Sequence, residues 1–168
     1  GTLWTWGSNS YGQLGQNDGN FNRSSPVQVG ALTTWSVIKC GTQFITAIKT
    51  DGTLWSWGRN NFGQLGQNDL VNRSSPVQVG ALTNWSNFAL GSSSIIATKT
   101  DGTLWTWGYN TTGQLGDGTV INRSSPIQIG ALTTWSTVSS GAAVAFAFKT
   151  DGTLWGWGIN SNGQLGTN

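Results

Sequence analysis

Histidine, glutamate and methionine are absent from this 168-residue chain, and cysteine occurs once. The absence of imidazole removes the usual general base and metal ligand at neutral pH. Cys40 has neither a second cysteine for a disulfide nor a histidine to activate its thiol. Its matching positions 50 and 100 residues on are Leu90 and Ser140, so the thiol is replaceable. Six aspartates are the only carboxylates. No catalytic residue, metal ligand or cofactor is therefore assigned, and an enzyme is not expected. Charged residues make up 8% of the chain and the net charge is +2, too weak a field to point to nucleic acid. No apolar run approaches the length of a membrane span and no signal peptide is visible, so membrane insertion is not expected. The chain opens on glycine, not methionine, which leads us to expect a segment of a longer chain.

Tryptophan and glycine are abundant instead, with 11 and 25 copies, and 36% of residues are hydrophobic. That composition suits a folded protein with a substantial core. Aligned with itself, the chain repeats every 50 residues: Pro26, Pro76 and Pro126 fall in register, as do Asp51, Asp101 and Asp151. The words KTDGTLWxWG, GQLG and NRSSP recur in each copy, and GTLWTWG already stands at Gly1–Gly7. Gly1 and Gly52 are 51 apart, the extra residue falling in the loop after Gly15.

Each repeat reads as four short strands, because turn residues and β-branched residues dominate and no helical period is present. The PVQVG segment, the run starting at Trp35, Trp85 or Trp135, the FITAIK-type run and TLWxWG are the expected first to fourth strands. This grouping predicts blades at 25–58, 75–108 and 125–158, an orphan strand at 1–7, and the start of a link at 159–168, all within one repeat domain. Asp-Gly between two apolar runs is a strong hairpin signal. Read as a two-residue turn, it sets Ile48 opposite Trp55 and Thr46 opposite Trp57, with Ala47 and Ser56 on the other, smaller face. The next copies follow suit with Thr98 and Ile96, and with Phe148 and Phe146. The tryptophans Trp4, Trp6, Trp55, Trp57, Trp105, Trp107, Trp155 and Trp157 are expected to be structural, packing one blade on the small face of the next. Leu14, Leu65, Leu115 and Leu165 of GQLG are expected to plug the space between blades.

These motifs together resemble the regulator of chromosome condensation repeat family, and the resemblance spans essentially the whole chain. It implies an all-β propeller, commonly seven-bladed, with four-stranded blades and rings closed by strands from both chain ends. Three complete blades and one orphan strand then imply that missing blades come from the same longer chain or from associated chains. Family relatives include a nucleotide exchange factor that docks on nucleosomes, an ultraviolet photoreceptor and a secreted bacterial inhibitor. The chain has no histidine and no basic arm, which disfavours an exchange-factor-like role.

The expected function is a non-catalytic module that binds a protein partner or copies of itself through loops on one rim. Specificity is expected where residues vary on the constant scaffold. Those positions are Ser8, Arg59, Tyr109 and Ile159 after WG, Tyr11, Phe62 and Thr112 before GQLG, and Phe21, Val71 and Ile121 in the following loop. A carbohydrate-binding module using exposed loop aromatics is the alternative. The short, nearly identical repeats and Asn/Ser/Thr/Gly-rich loops resemble those of secreted, surface or virion proteins of bacteria and their phages, and that setting is expected. Arg23, Arg73 and Arg123 of NRSSP are expected to lack a constant acidic neighbour, and Lys49, Lys99 and Lys149 to be balanced by the turn aspartates. Five glycosylation sequons, at Asn22, Asn72, Asn84, Asn110 and Asn122, bear on function only in a glycosylating pathway.

Overall fold

The structure, a computed structural model, describes residues 1–167. All regular structure among them is strand, arranged as four antiparallel sheets. The first sheet joins β1 (Trp4–Gly7) to β2 (Arg23–Gln28). The second runs β3 (Trp35–Cys40), β4 (Phe44–Lys49), β5 (Leu54–Gly58) and β6 (Arg73–Gln78). The third repeats that order with β7 (Trp85–Leu90), β8 (Ser94–Lys99), β9 (Leu104–Gly108) and β10 (Arg123–Gln128). The fourth has β11 (Trp135–Ser140), β12 (Val144–Lys149) and β13 (Leu154–Gly158).

The hydrogen-bonded blade is thus offset from the expected grouping. The RSSPVQ strand closes the sheet that precedes it: Ser56 pairs with Val77 and Gly58 with Arg73. Sheets consequently run over 35–78 and 85–128, not 25–58 and 75–108. Strand β1 is no orphan, since Thr5 pairs with Val27 and Gly7 with Arg23. An edge position also explains the proline, which has no N–H to give a central ladder. The third expected blade likewise begins at Trp135 and holds three strands.

Register is shifted by one residue from the two-residue turn. Ala47 pairs with Trp55, Ile45 with Trp57 and Ile48 with Leu54. Lys49 N–H donates to Thr53 O (3.0 Å) and Gly52 N–H to Lys49 O (3.0 Å), so the turn is the three-residue Thr-Asp-Gly. Gly52 takes φ +76°, the left-handed position that closes such a turn. Asp51 stabilises it by accepting from both the amide and the hydroxyl of Thr53, at 3.0 and 2.6 Å. A one-residue slip exchanges the partners on both faces. The small alanine therefore lies beside the tryptophans, and Leu54, Ile48, Thr46 and Ser56 form the receiving face.

Packing of tryptophan face on receiving face survives this correction. Phe44, Ile48 and Leu54 of one blade pack with Trp85, Phe88, Ile95 and Trp107 of the next, sealed by Leu65 and Val79. Ile96 and Leu104 meet Trp135, Val138 and Ala147 in the same way. Leu3 and Val29 meet Trp35, Ile45 and Trp57. The GQLG loop crosses each junction: Trp57 Nε1 donates to Gln13 O (2.9 Å), Trp107 to Gln64 O (3.1 Å) and Trp157 to Gln114 O (3.0 Å). Gly66, at φ +70°, lies so close that a Cβ there would stand 2.8 Å from the Trp107 indole nitrogen.

Trp57, Trp107, Leu65 and Leu115 are fully buried and Leu14 nearly so. Trp55 and Trp105 are half-buried. Trp4, Trp6 and Trp155 are 49, 60 and 51% exposed, because among the described residues no blade precedes Trp4 and Trp6 and the sheet of Trp155 lacks the fourth strand that flanks Trp55. Trp157 and Leu165 are partly buried. Full burial of an indole stabilises by roughly 4–6 kcal/mol as an upper bound from area. Trp107→Ala is expected to lower unfolding free energy by about 3–5 kcal/mol in urea titrations, and Trp4→Ala by far less.

Candidate protein-interaction site

Each WG ends its strand at one rim, where in the last three copies the following residue is bonded to the turn between the first two strands of the sheet. Arg59 N–H donates to Gln43 O (2.9 Å), Tyr109 to Ser93 O (2.9 Å) and Ile159 to Ala143 O (3.0 Å). A buried asparagine then organises the loop. Asn60 Oδ1 accepts from Leu65 N–H (2.9 Å), while its Nδ2 donates to the carbonyls of Asp69 (3.0 Å) and Val71 (3.2 Å). Asn110 repeats this with Leu115, Thr119 and Ile121. Gln64 Oε1 accepts from the Phe62 amide (2.9 Å) and Gln114 Oε1 from that of Thr112 (3.0 Å). The loops are therefore held by side-chain amides, which fixes where the variable residues stand.

Four of those residues meet in one ridge across three repeats. The Arg59 guanidinium lies 5.2 Å from the Tyr11 ring and 5.5 Å from the Phe62 ring. Phe62 packs edge-on against Tyr109, with centroids 4.8 Å apart at 60°. Arg59 Nη1 also donates to Gln43 Oε1 (2.7 Å). All four are partly buried, so the ridge has a fixed base and an open crest. Ser8 and Thr112 are exposed and Ile159 is partly buried, none of them in the aromatic contacts. Phe21, Val71 and Ile121 are 66, 59 and 60% exposed in the loops entering β2, β6 and β10. Leu70 and Val120 beside them are equally exposed; their place in the same variable loops was the available signal. Gln43, the ridge's polar brace, carried no such signal.

Electrostatics at this rim differ from expectation. Every NRSSP arginine has an acidic neighbour: Arg23 pairs with Asp18, Arg73 with Asp69 (2.5 Å) and Arg123 with Asp117 (2.7 Å). The pairs span five, four and six residues of sequence, which hid their equivalence. Burial acts to raise the Asp117 carboxyl, but hydrogen bonds from Arg123, Thr119 and Asn110 together hold it below the usual range. Asn110 is fully buried, so its sequon serves the loop scaffold. On the opposite rim Lys49 and Lys99 are buried with Nζ 3.4 Å from the Trp55 and Trp105 ring centres, and Lys149 Nζ is 4.2 Å from that of Trp155. Burial lowers the Lys49 and Lys99 ammonium pKa, partly offset by Asp51 and Asp101. Aromatic rings, not salt bridges, thus hold these lysines. With three arginines paired and three lysines beside turn aspartates, Lys39 and Arg59 are left as the two cations behind the net charge of +2.

The repeat profile described as Regulator of chromosome condensation (RCC1) repeat matches residues 1–48, 51–97 and 101–148. The chain belongs to that family. A second profile of the same description matches residues 36–64 and 135–164. Among curated relatives, the human E3 ubiquitin-protein ligase HERC2 is 36% identical over 67 residues, covering 39% of this chain and 1% of the ligase. RUG3, an RCC1 domain-containing mitochondrial protein of Arabidopsis thaliana, is 38% identical over 72 residues, 42% of this chain and 16% of that protein. Among solved structures, yeast RCC1 (Prp20) bound to Kap60 superposes with a TM-score of 0.84 at 20% identity, covering all of this chain and 42% of that one. Human WBSCR16 gives 0.80 at 22% identity, over 93% of this chain and 42% of that one. The RCC1 repeats here thus span less than half of the propellers they resemble, and those likenesses establish the fold.

Because the folded-state pKa of Asp117 is depressed, its contribution is present above the unfolded carboxylate value of about 3.9 and lost as pH falls through the folded one. Asp117→Asn is expected to cost about 1 kcal/mol at pH 7. The gap from the parent protein, read from thermal melts, should shrink toward pH 3.

Proposed function

We propose that this chain is a non-catalytic interaction module that engages a protein partner through the Tyr11–Arg59–Phe62–Tyr109 ridge. The supporting observation is a carboxylate-free guanidinium set between two aromatic rings on a braced rim. Interface energy concentrates in arginine and aromatic anchors that are already ordered before binding. The partner surface that fits carries a carboxylate for Arg59 and apolar groups for the rings. Proteins of the same fold bind proteins: yeast RCC1 (Prp20) is bound to Kap60, and Prp20p has described binding properties toward Gsp1p and histones. The ligase activity of HERC2 belongs to a protein of which the matched segment is 1%. Further blades completing the ring, from the same longer chain or from associated chains, and a secreted, surface or virion setting, form part of this proposal. The exposed tryptophans Trp4, Trp6 and Trp155 support the former and the low-charge polar loops the latter.

The test is affinity capture on immobilised protein, compared with a Tyr11→Ser/Arg59→Ala/Phe62→Ala/Tyr109→Ser variant verified to be folded by its melting curve. At least tenfold loss of a captured partner is expected, whereas unchanged capture by the folded variant refutes the ridge as the contact.

A further inference from the structure

On the rim opposite the ridge, each blade junction leaves a cleft, and the repeats reproduce it three times. The first, about 310 Å³, is lined by Gln16, Val29, Leu32, Trp35, Trp55 and Pro76, with Ser75 at its edge. The second, about 500 Å³, sets Gln67, Val79, Leu82, Trp85, Trp105 and Pro126 in the same places, with Ser125. The third, about 320 Å³, has Ile129, Leu132, Trp135 and Trp155. No charged side chain lines any of them.

Two properties mark these clefts as built sites. One is a fixed aromatic wall. Trp55 and Trp105 are only half-buried, yet each is locked by an indole N–H donated to Thr53 or Thr103 Oγ1 (2.8 Å) and by the lysine ammonium over its ring. The other is unused hydrogen-bonding capacity. Trp35, Trp85 and Trp135 are 93% buried or more and line one cleft each, and their indole N–H, itself buried, has no acceptor among the described residues. Gln16 and Gln67 donate through Nε2 to backbone carbonyls, and their Oε1 atoms accept nothing among the described residues. The hydroxyls of Ser75 and Ser125 likewise make no bond within the described residues.

A slot lined by uncharged side chains, with polar edges and an indole plane whose other face carries the lysine ammonium, fits a ring that has an apolar C–H face and hydroxyls at its rim. We infer that the first two clefts are equivalent carbohydrate subsites, each taking one neutral pyranose, and that the third shares their tryptophan wall without their polar edges. The ring lies against Trp55 or Trp105, and its hydroxyls meet Gln16 and Ser75, or Gln67 and Ser125. Repetition along the propeller suits a polymeric glycan, since linked weak sites gain roughly 10²–10⁴-fold in avidity when they are engaged together.

The experiment titrates the full chain with neutral hexoses, N-acetylhexosamines and their polymers, following tryptophan fluorescence and ligand-observed NMR saturation transfer. A proline-rich peptide is run as the competing ligand class. Leu32, Leu82 and Leu132 line the clefts but are 48, 47 and 48% exposed, so Leu→Arg there blocks the slots without opening the core. Saturable binding of a neutral glycan is expected, weaker by at least tenfold in the folded L32R/L82R/L132R variant and unchanged in the ridge variant. Three results overturn the inference: no saturable glycan binding, binding indifferent to the three arginines, or cleft-dependent binding of the peptide alone. Loss in the ridge variant instead would place the glycan on the other rim.

Discussion

The structure depends on one contact made at each of the three described junctions: a tryptophan, fully buried at two of them, whose indole N–H reaches back to a carbonyl of the preceding GQLG loop. Burial supplies most of the energy at that contact, and the hydrogen bond supplies direction. An indole buried without an acceptor would carry a desolvation cost, so the loop and the tryptophan position one another. A single blade alone would leave the apolar side chains of both its faces in water. Stacking face on face is what makes them a core.

The rigid junction also explains how the rims can carry variation. Asn60 and Asn110 tie the loop ends to the strands, and Gln64 and Gln114 tie the residue before GQLG to the motif itself. Side chains beyond those ties are free to differ. Arg59 and Phe62 of one loop thus meet Tyr11 and Tyr109 of the loops on either side, while Thr112 and Ile159 continue the positions without the chemistry. Charge is handled equally locally. Aspartate answers each NRSSP arginine, and indole rings hold each turn lysine, which leaves Arg59 conspicuous on its rim.

Much of this was legible because the repeat multiplies every signal. The period, the strands, the plugging leucine and the tryptophan face follow from motifs present in each copy. Register was not legible. Asp-Gly fits both a two-residue turn and the third-position glycine of a Thr-Asp-Gly turn, and the choice rests on the Asp51–Thr53 hydrogen bonds. Nor was sheet membership: RSSPVQ reads as a strand wherever it pairs, and its pairing with β5 instead of β3 is a matter of chain path. The ridge residues were visible as variable positions, but nothing in their spacing announced that Tyr11 and Phe62 would flank the same guanidinium.

By itself, then, the sequence determined the architecture: an all-β repeat whose tryptophans pack one blade on the next, and no histidine or glutamate with which to build the commonest catalytic sites. Those properties depend on local pattern and composition, which need no partner to be read. Tertiary structure decided the register of the hairpins, the strand that closes each blade, the arginine–aspartate pairs, the aromatic ridge and the clefts on the opposite rim. Each joins residues from different strands or repeats, and only the stacking of blades brings such residues within bonding distance.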